Sequence, residues 1–449
     1  MITNTTTIRL EIEQGIRQKG HSLSSFGKLA GINRGIISGI LNGNPPKSIS
    51  IRQLDLMATA LGHEEGWMYE YYVDECFINE KADWRRIKAF LLRCTEISRF
   101  DCIQAVLDRL MEDLSNTISV FGLAEELYHE GKVQEAIPFY ECVIENEKHQ
   151  HSERLAIAHY RVFRASIGDN TEKSLRAVIR FEPYRNRLPE NIMLDALLQL
   201  ASVYYNFQDW ELMSSCADEL RSLAETVYQA ECEKLKINKN HSLLETEREL
   251  VVYYGQGNLI KGIALEYLDK YEEAKKCIQN YADLSWFEGL NEKGKEEVEK
   301  LKLYSIANMH NLGLLMGNIN NIDSYISFLE DHPKEILPSM LVISRAANKY
   351  TLDIDYIIEK FKDILYPSKV AHNASYPKVS IGRYMILYYQ LAVYHIDKQQ
   401  FRIGLDELLR SLRLSIALSN KNRTLDCITL FEQYKKHSLE QQTNQYEKN

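Results

Sequence analysis

Apolar residues recur at steps of three and four positions along almost the whole chain of 449 residues. This spacing places them on one face of an α-helix, because the helix turns once every 3.6 residues. Within Trp84–Asp113, one apolar stripe includes Ile87, Leu91 and Cys94, and a break near Ser98–Asp101 separates it from a second stripe. Alternating β-branched runs bounded by turn residues hardly occur. The pattern therefore predicts an all-α protein.

A shorter pattern near the N-terminus predicts a helix that ends in a tight turn. Ser22 is expected to cap this helix, because its hydroxyl can accept from the free amides of the first turn. Phe26, Leu29 and Ala30 are expected to form its apolar stripe, and Gly27 lies where a second helix must approach closely. Gly31 is expected to end the helix in the left-handed conformation.

A second helix is expected to follow this turn directly. Asn33 is its predicted cap, and Gly43 its predicted end. Ile36, Ile37 and Ile40 are predicted to form its inner face. Apolar periodicity also predicts a helix on each side of the pair, at Ile8–Lys19 and Ser50–Leu61.

Short helices around a helix, a glycine turn and a second helix resemble the lambda-repressor/Cro (XRE) class of DNA-binding domains. The resemblance covers about the first 62 residues. In this class the second helix of the pair enters the major groove with its N-terminal end first. A helical hairpin used only for packing is the alternative interpretation.

The resemblance implies which side chains face DNA. Arg34 is the candidate for reading guanine, and Ser38 can contact a base or a phosphate. Phosphate contacts, which position a protein without specifying sequence, are expected from Lys28, Lys47, Arg52 and the amide region of Ser22. The full set of candidate DNA-binding residues is Ser22, Lys28, Asn33, Arg34, Gly35, Ser38, Asn42, Lys47 and Arg52.

Two features depart from the XRE pattern. Leu23 stands where many members carry a glutamine that braces the phosphate and the reading helix. Gly35 and Gly39 remove side chains from the reading face and lower helix stability. These glycines either permit close backbone approach or leave the domain weak as a monomer. In both cases a homodimer that reads two half-sites of a palindromic operator is expected.

Charge is divided unevenly along the chain. Residues 1–62 carry seven basic and three acidic side chains, a net charge of +4, whereas the whole chain carries −9. The remaining residues therefore carry −13. A small basic segment on an acidic body predicts a polyanionic partner, double-stranded DNA, for the N-terminal segment only.

The rest of the chain contains a recurring pattern of small and large residues. The stretch FGLAEELYHEGKVQEAIPFYECVIE has Ala124 and Leu127 in one helix, Gly131 at a turn, and Ala136 and Tyr140 in the next. This resembles a tetratricopeptide repeat, in which small residues lie where two helices cross. Similar patterns follow around Ala201, Gly262, Leu312 and Ala392, with worn copies interpreted at Leu155–Glu182 and Leu341–Leu365.

Such repeats predict a right-handed superhelix with a concave groove that suits an extended peptide. The candidate peptide-binding residues on the inner helices are Tyr205, Asn206, Ile263, Glu266, Tyr304, Asn311, Tyr389 and Val393. An asparagine amide offers both a donor and an acceptor, so it can hold a peptide main chain. The alternative for each position is ordinary packing or helix capping.

Motifs for other chemistry do not fit their contexts. GQGNLIKG (Gly255–Gly262) follows no predicted strand, so a nucleotide-binding loop is not expected. HQHSE (His149–Glu153) lies in a polar turn without further ligand spacing, and the eight cysteines form no C-x-x-C motif. The chain also has no apolar run long enough to span a bilayer. We therefore expect a cytoplasmic protein that is not an enzyme and holds no cofactor and no metal.

The combination of both patterns resembles the RRNPP family of peptide-pheromone-sensing regulators of Gram-positive bacteria, their phages and plasmids (Rgg, Rap, NprR, PlcR, PrgX and AimR types). The resemblance implies an XRE-type domain at 1–66, a helical connector at 67–115, degenerate tetratricopeptide repeats at 116–436 and a frayed polar tail at 437–449.

The same resemblance implies a function. The protein would be a cytoplasmic, homodimeric quorum-sensing transcription regulator, switched by a short signalling peptide. Asn311 and Asn206 would hold the peptide main chain. The alternatives are a Rap-like or scaffold protein that sequesters a protein partner and has a vestigial DNA-binding domain, and a regulator whose groove binds another protein.

Overall fold

The computed structural model describes residues 7–78, 81–149, 152–168, 170–238, 243–320, 322–367 and 378–448. These residues are almost entirely helical, which confirms the predicted all-α class. Within them, β-structure is limited to one antiparallel pair in which Phe77 faces Ala82 and Ile78 faces Lys81. Among the described helices, none is both long and apolar enough to cross a membrane. The chain divides into two compact units, Met1–Ala165 and Ser166–Asn449.

The elements that begin in the first unit are α1 (Ile8–Gln18), α2 (Leu23–Ala30), α3 (Arg34–Asn42), α4 (Ile51–Leu61), α5 (Tyr69–Glu75), β1 (Phe77–Ile78), β2 (Lys81–Ala82), α6 (Trp84–Glu96), α7 (Phe100–Leu110), a 3-10 turn at Leu114–Asn116, α8 (Thr117–His129), α9 (Val133–Asn146) and α10 (Glu153–Ser166).

The elements of the second unit are α11 (Thr171–Phe181), a 3-10 segment at Glu182–Arg187, α12 (Glu190–Phe207), α13 (Trp210–Ile237), α14 (Leu250–Tyr267), α15 (Tyr271–Tyr281), α16 (Glu292–Leu315), α17 (Ile322–Asp331), α18 (Pro333–Tyr350), α19 (Asp355–Lys360), α20 (Lys362–Leu365), α21 (Lys378–Asp397), α22 (Phe401–Ala417), α23 (Lys421–Tyr434), a 3-10 turn at Lys435–His437 and α24 (Glu440–Lys448).

Local side-chain chemistry sets the ends of α2 and α3 as predicted. The Ser22 hydroxyl accepts from the Ser25 amide at 3.1 Å, and the Ser25 hydroxyl accepts from the Ser22 amide at 2.9 Å. These reciprocal bonds form a capping box, which satisfies two free amides at the helix start. Gly31 follows α2 in the left-handed region with φ of 66°. The Asn33 side-chain oxygen then accepts from the Gly35 amide at 2.7 Å and begins α3.

The inner faces of these two helices are narrower than predicted. Phe26, Ile37 and Ile40 are fully buried. The prediction that Leu29 and Ile36 also belong to the core is wrong, since their side chains are 56% and 40% exposed. Apolar spacing alone does not separate an inner stripe from its margin, because the width of the buried face depends on which helices pack against it.

Gly27 lies where α2 meets the start of α3, as predicted. A Cβ atom at this position would come within 2.6 Å of the Ile32 main-chain oxygen, a distance that forces the backbone to move. We expect Gly27→Ala to destabilise the first unit by about 1–3 kcal/mol, because overpacking against backbone has no flexible atom to displace.

Thermal unfolding of the Gly27→Ala variant measures this effect. Gly122→Ala is the matched control, because Gly122 is an exposed glycine inside α8 and its Cβ would meet no atom within 4 Å. The control is expected to gain up to about 1 kcal/mol from higher helix propensity. Equal stability changes in the two variants would contradict the close approach at Gly27.

One hydrophobic core runs through the first unit from Ile8 to Val162. The Tyr72 hydroxyl donates to the Ile49 main-chain oxygen at 3.0 Å, and the Tyr72 ring lies 4.8 Å from the ring of Phe90. The aromatic start of the predicted connector therefore packs on the N-terminal helices. The predicted boundaries at 66 and 115 both fall inside this unit, because its core is continuous across them.

Helices of the second unit pack in two alternating sets. Each helix contacts the next in sequence from α11 to α17, and α18, α21, α22 and α23 continue the series. In addition, α12 packs on α14, α14 on α16, α16 on α18, and α18 on α21. These five helices, α12, α14, α16, α18 and α21, form a continuous layer that we call the inner layer.

The prediction of a frayed tail is wrong for the described residues of this segment. Helix α24 packs on the preceding helices, because the Gln442 amide donates to the Arg402 main-chain oxygen at 2.8 Å and to Asp406 at 2.7 Å. The Tyr446 ring also stacks on Phe431, with 4.0 Å between centroids. The polar composition of this segment did not predict its packing, because only two side chains, Gln442 and Tyr446, make these contacts.

Candidate functional site

The α2–α3 pair presents most of the candidate DNA-binding residues to solvent. Ser38 is half-buried, and the other eight are exposed. Arg34 is the first residue of α3 and Asn42 is its last, so the exposed polar residues extend along the full length of this helix. The side-chain oxygen of Asn33 is occupied by the helix cap. Asn33 therefore acts first as a structural residue, and Arg34 is the first side chain free to reach outward.

Several cations near this pair have no internal partner. Four candidates are exposed and form no ion pair within the described part of the chain: Lys28, Arg34, Lys47 and Arg52. Elsewhere in the unit, Arg9 pairs with Glu75 at 2.5 Å and Arg17 pairs with Glu13 at 2.6 Å, whereas Lys19 and Arg85 are also exposed without an ion pair. The α2–α3 pair and the segment after it thus carry uncompensated positive charge. Such a surface attracts a polyanion, because an uncompensated cation gains most from an external phosphate.

Gly39 has a structural role that the sequence left open. The Lys47 amide donates to the Gly39 main-chain oxygen at 2.8 Å. A Cβ atom on Gly39 would lie 2.9 Å from Cδ of Lys47. Gly39 therefore lets the segment that carries Lys47 approach α3 closely. Gly35 has no comparable neighbour, since its Cβ would meet only the Asn33 side-chain oxygen, at 3.2 Å.

The second unit contains a cavity of about 230 Å³ on the inner layer. All but one of its lining residues lie on the five helices of that layer, and the exception, Met213, lies on α13. The lining consists of Leu198, Ala201, Ser202, Tyr205, Asn206, Met213, Gln256, Ile260, Ile263, Glu266, Tyr267, Asn308, Asn311, Pro338, Leu341, Val342 and Arg383. We call it the inner-layer cavity.

Five of the eight candidate peptide-binding residues line the inner-layer cavity. They are Tyr205, Asn206, Ile263, Glu266 and Asn311, contributed by α12, α14 and α16. The choice of inner helix positions therefore brought together side chains that lie far apart in the sequence. The repeat resemblance selected the inner helices, and helix periodicity selected one face of each.

The other three candidates, Tyr304, Tyr389 and Val393, lie outside the lining. The Tyr389 ring lies under the guanidinium of Arg423 on α23, 4.2 Å from its centroid. Its position past the middle of α21 turns it towards the final helices instead of the cavity. Tyr304 is half-buried on α16, where burial raises its pKa and the charges of Glu335 and Arg383 also act on it.

Three asparagines of the lining differ in how much hydrogen-bonding capacity remains. The Asn311 side-chain oxygen accepts from the Tyr325 hydroxyl at 2.9 Å, and the Asn308 amide donates to the Tyr281 hydroxyl at 2.8 Å. Asn206 is exposed and makes no side-chain hydrogen bond within the described residues. Asn206 thus keeps its full donor and acceptor capacity for a ligand, whereas Asn311 keeps its donor group and one of the two acceptor sites of its oxygen.

Glu266 is the acid of the lining. Its side chain is 5% exposed and makes no hydrogen bond or ion pair within the described residues. Burial raises the pKa of Glu266 to about 8, against the opposing charge of Arg345. The Arg345 guanidinium donates to the Glu266 main-chain oxygen, not to its carboxylate, and lies 4.5 Å from the Tyr267 ring centroid. The carboxylate itself is left without a partner in the cavity.

Aromatic rings support the same end of the cavity. Trp210 stacks on Tyr267 with 3.8 Å between centroids and 6° between planes, and Tyr205 meets Trp210 edge-on at 5.8 Å. Burial raises the pKa of Tyr205, while the positive charge of Arg383 on α21 opposes that rise.

The sequence analysis missed several residues that line the inner-layer cavity, although their helical spacing could have identified them. Gln256, Ile260, Ile263 and Tyr267 follow one another at steps of four, three and four, so they share one face of α14. From α14 the prediction selected Ile263 and Glu266, and it missed Gln256, Ile260 and Tyr267. No spacing pattern in the sequence pointed to Arg383, because it lies beside a segment without a clear repeat pattern.

The structure describes the GQGNLIKG stretch in full and the HQHSE stretch in part. Gly255–Gly262 lies inside α14 and forms no loop, as expected. Gln150 and His151 of the HQHSE stretch lie outside the described residues. Within the described part of the chain, no group of three or more His, Cys, Asp and Glu residues is arranged to hold a metal ion.

Sequence comparison assigns the chain to no known group. No family model matches it, and the search of curated proteins gives no match.

Proposed function

We propose that the protein is a homodimeric transcription regulator of the RRNPP type. Its XRE-type helix-turn-helix at residues 1–66 binds a palindromic operator, and its tetratricopeptide-type repeats bind a short signalling peptide in the inner-layer cavity. The peptide switches DNA binding by changing the geometry of the dimer. The protein acts in the cytoplasm, carries out no catalysis and needs no cofactor.

One observation carries the DNA-binding part of this proposal. The exposed cations Lys28, Arg34, Lys47 and Arg52 lie on or near the α2–α3 pair and form no ion pair within the described residues, in a chain whose net charge is −9. A hairpin used only for packing would need no such set of cations. The capped α2–Gly31–α3 geometry is the one in which the second helix can enter a major groove.

Two observations support peptide sensing. The inner layer of alternating helices is the packing expected of stacked helical hairpins, whose inner helices line a common groove. The cavity in that layer combines apolar surface with the amide groups of Asn206 and Asn311, which suits a main chain without demanding one side-chain sequence.

Selection from a library of randomised 30-base-pair duplexes, using the full chain, tests the DNA-binding part. We expect enrichment of an inverted repeat whose half-sites are separated by about one helical turn or a multiple of it, roughly 10 base pairs each. Binding should weaken steeply with salt, by a log–log slope of about −0.9 for each phosphate neutralised. Enrichment of no sequence would contradict operator binding and favour the alternative of a Rap-like or scaffold protein that sequesters a protein partner.

A further inference from the structure

Folding leaves the Glu266 carboxylate in an unusual position. It is nine-tenths or more buried, it lines the inner-layer cavity, and it has no partner within the described residues. Burying a carboxylate without a hydrogen bond or an opposite charge is costly. A buried acid that lines a cavity and lacks a partner is a candidate for binding a group that the folded chain does not supply.

The neighbouring charged and titratable groups do not satisfy Glu266. Those that act on it or respond to it are Tyr205 on α12, Tyr267 on α14, Tyr281 on α15, Tyr325 on α17 and Arg345 on α18. Arg345 is engaged by a main-chain oxygen and by the Tyr267 ring. The charge of Arg383, the base of the cavity lining, acts on Tyr205, Tyr304 and Glu335, whereas the opposing charge on Glu266 is that of Arg345. No opposite charge contacts the Glu266 carboxylate within the described residues, and a cationic ligand can supply one.

We propose that Glu266 binds a cationic group of the signalling peptide, an arginine or lysine side chain or the N-terminal ammonium. This assignment rests on the proposed function, because it names the chemistry of the same ligand. A charge-assisted hydrogen bond from an ammonium or guanidinium satisfies a buried carboxylate better than any neutral donor. The half-buried Tyr205 adds an aromatic edge to the same end of the cavity.

The size of the cavity fits a part of a peptide. Pockets that enclose a whole small ligand usually have volumes of about 300–1,000 Å³. The inner-layer cavity, at about 230 Å³, is smaller. It therefore holds one end or one side chain, while the rest of the peptide lies along the inner layer. A single charged group in this cavity would anchor the peptide and fix its register.

Binding of a cation at Glu266 is coupled to a proton. Burial raises the pKa of the empty site to about 8, so the carboxyl is largely protonated at pH 7. A bound cation favours the ionised form and releases that proton. Affinity should therefore rise with pH, by up to tenfold per unit between about pH 6 and pH 8. Above pH 8 it should level off for an arginine or lysine side chain and fall again for the N-terminal ammonium, which itself loses its proton near pH 8.

Binding of hexapeptide pools to the full chain tests the assignment. Each pool has arginine, lysine or leucine fixed at one position and a mixture elsewhere, and each is made with a free and with an acetylated N-terminus. We expect at least tenfold stronger retention of pools with the fixed cation, or of free over acetylated pools if the terminal ammonium is the bound group. Glu266→Gln should lose this preference together with the pH dependence.

Glu407→Gln is the matched control, because Glu407 is also 5% exposed in the second unit and lies outside the cavity lining. It should keep the preference of the wild type. Peptide retention without preference for a cation, or a preference that survives in Glu266→Gln, would overturn the assignment and leave peptide sensing intact. Retention of no pool by the wild type would overturn both the assignment and peptide sensing.

Discussion

Arg34→Ala is expected to lower affinity for the selected operator by about 10- to 100-fold for each half-site, which corresponds to about 1–3 kcal/mol per subunit of the homodimer. Arg34 is exposed at the N-terminal end of α3 and has no internal ion pair. An arginine placed there can donate two hydrogen bonds to one guanine, and alanine can donate none. The loss should appear only with operator duplexes that keep this guanine, so binding to unrelated duplexes should fall far less.

Two variants separate base reading from general charge. Lys28→Ala should weaken binding to all duplexes alike and reduce the salt slope by about one unit per subunit, as expected for a phosphate contact. Arg17→Ala should change neither quantity, because Arg17 lies on α1 and already pairs with Glu13. Titration of each variant at several salt concentrations gives both numbers. A uniform loss in Arg34→Ala, equal for operator and random DNA, would show that Arg34 contacts only phosphate.

Helix ends near the N-terminus were predictable because the determining chemistry is local. Ser22, Gly31 and Asn33 act on amides or backbone angles within three residues of themselves. No knowledge of distant packing is needed to predict such a cap. The repeat pattern around Ala392 also predicted a close helix crossing, and a Cβ atom added at Gly404 on the neighbouring helix would lie 3.0 Å from the Ala392 main-chain oxygen.

Features that depend on distant packing were not predictable. Leu29 and Ile36 have the same spacing as core residues, yet no helix among the described residues buries them. Tyr389 lies on an inner helix but contacts Arg423, which is 34 positions later in the chain. Helix α24 is polar, and its contacts through Gln442 involve a helix that begins near residue 401. Periodicity gives the direction of a side chain, but the neighbour on that side follows only from the complete fold.

The cavity residues show the same division. Asn206, Glu266 and Asn311 were found from helix periodicity, because each lies on the inner face of its own helix. The sequence did not separate their roles. Asn311 is partly committed to Tyr325, Asn206 is free, and Glu266 is buried without a partner. These differences arise from side chains on other helices, so they follow only from the three-dimensional arrangement.

The unpartnered acid has a consequence for stability that does not depend on any ligand. We compare the free energy of unfolding of Glu266→Gln with that of the wild type at two pH values. Between pH 4.5 and pH 7, we expect this difference to shift in favour of the variant by about 3 kcal/mol. Burial raises the pKa of Glu266 from the ordinary 4.5 to about 8. The unfolded chain therefore ionises above pH 4.5 while the folded chain holds its proton, and stability falls by about 1.4 kcal/mol per pH unit until pH 8. Glutamine does not titrate, so it removes this slope.

Urea unfolding at pH 4.5, 6 and 7.5 measures the difference, and the fluorescence of Trp210, which stacks on Tyr267 next to Glu266, gives a local probe. Glu296→Gln is the control, because Glu296 is exposed and should give the same stability as the wild type at every pH. An equal effect of Glu266→Gln at pH 4.5 and 7.5 would show that the carboxylate is solvated or paired. If the stability gain of Glu266→Gln over the wild type instead grows as the pH rises, and the variant also loses the preference for cationic peptides, then the Glu266 carboxylate lowers stability and binds the ligand. A group that lowers stability is explained by the contact that it makes only when the ligand is present.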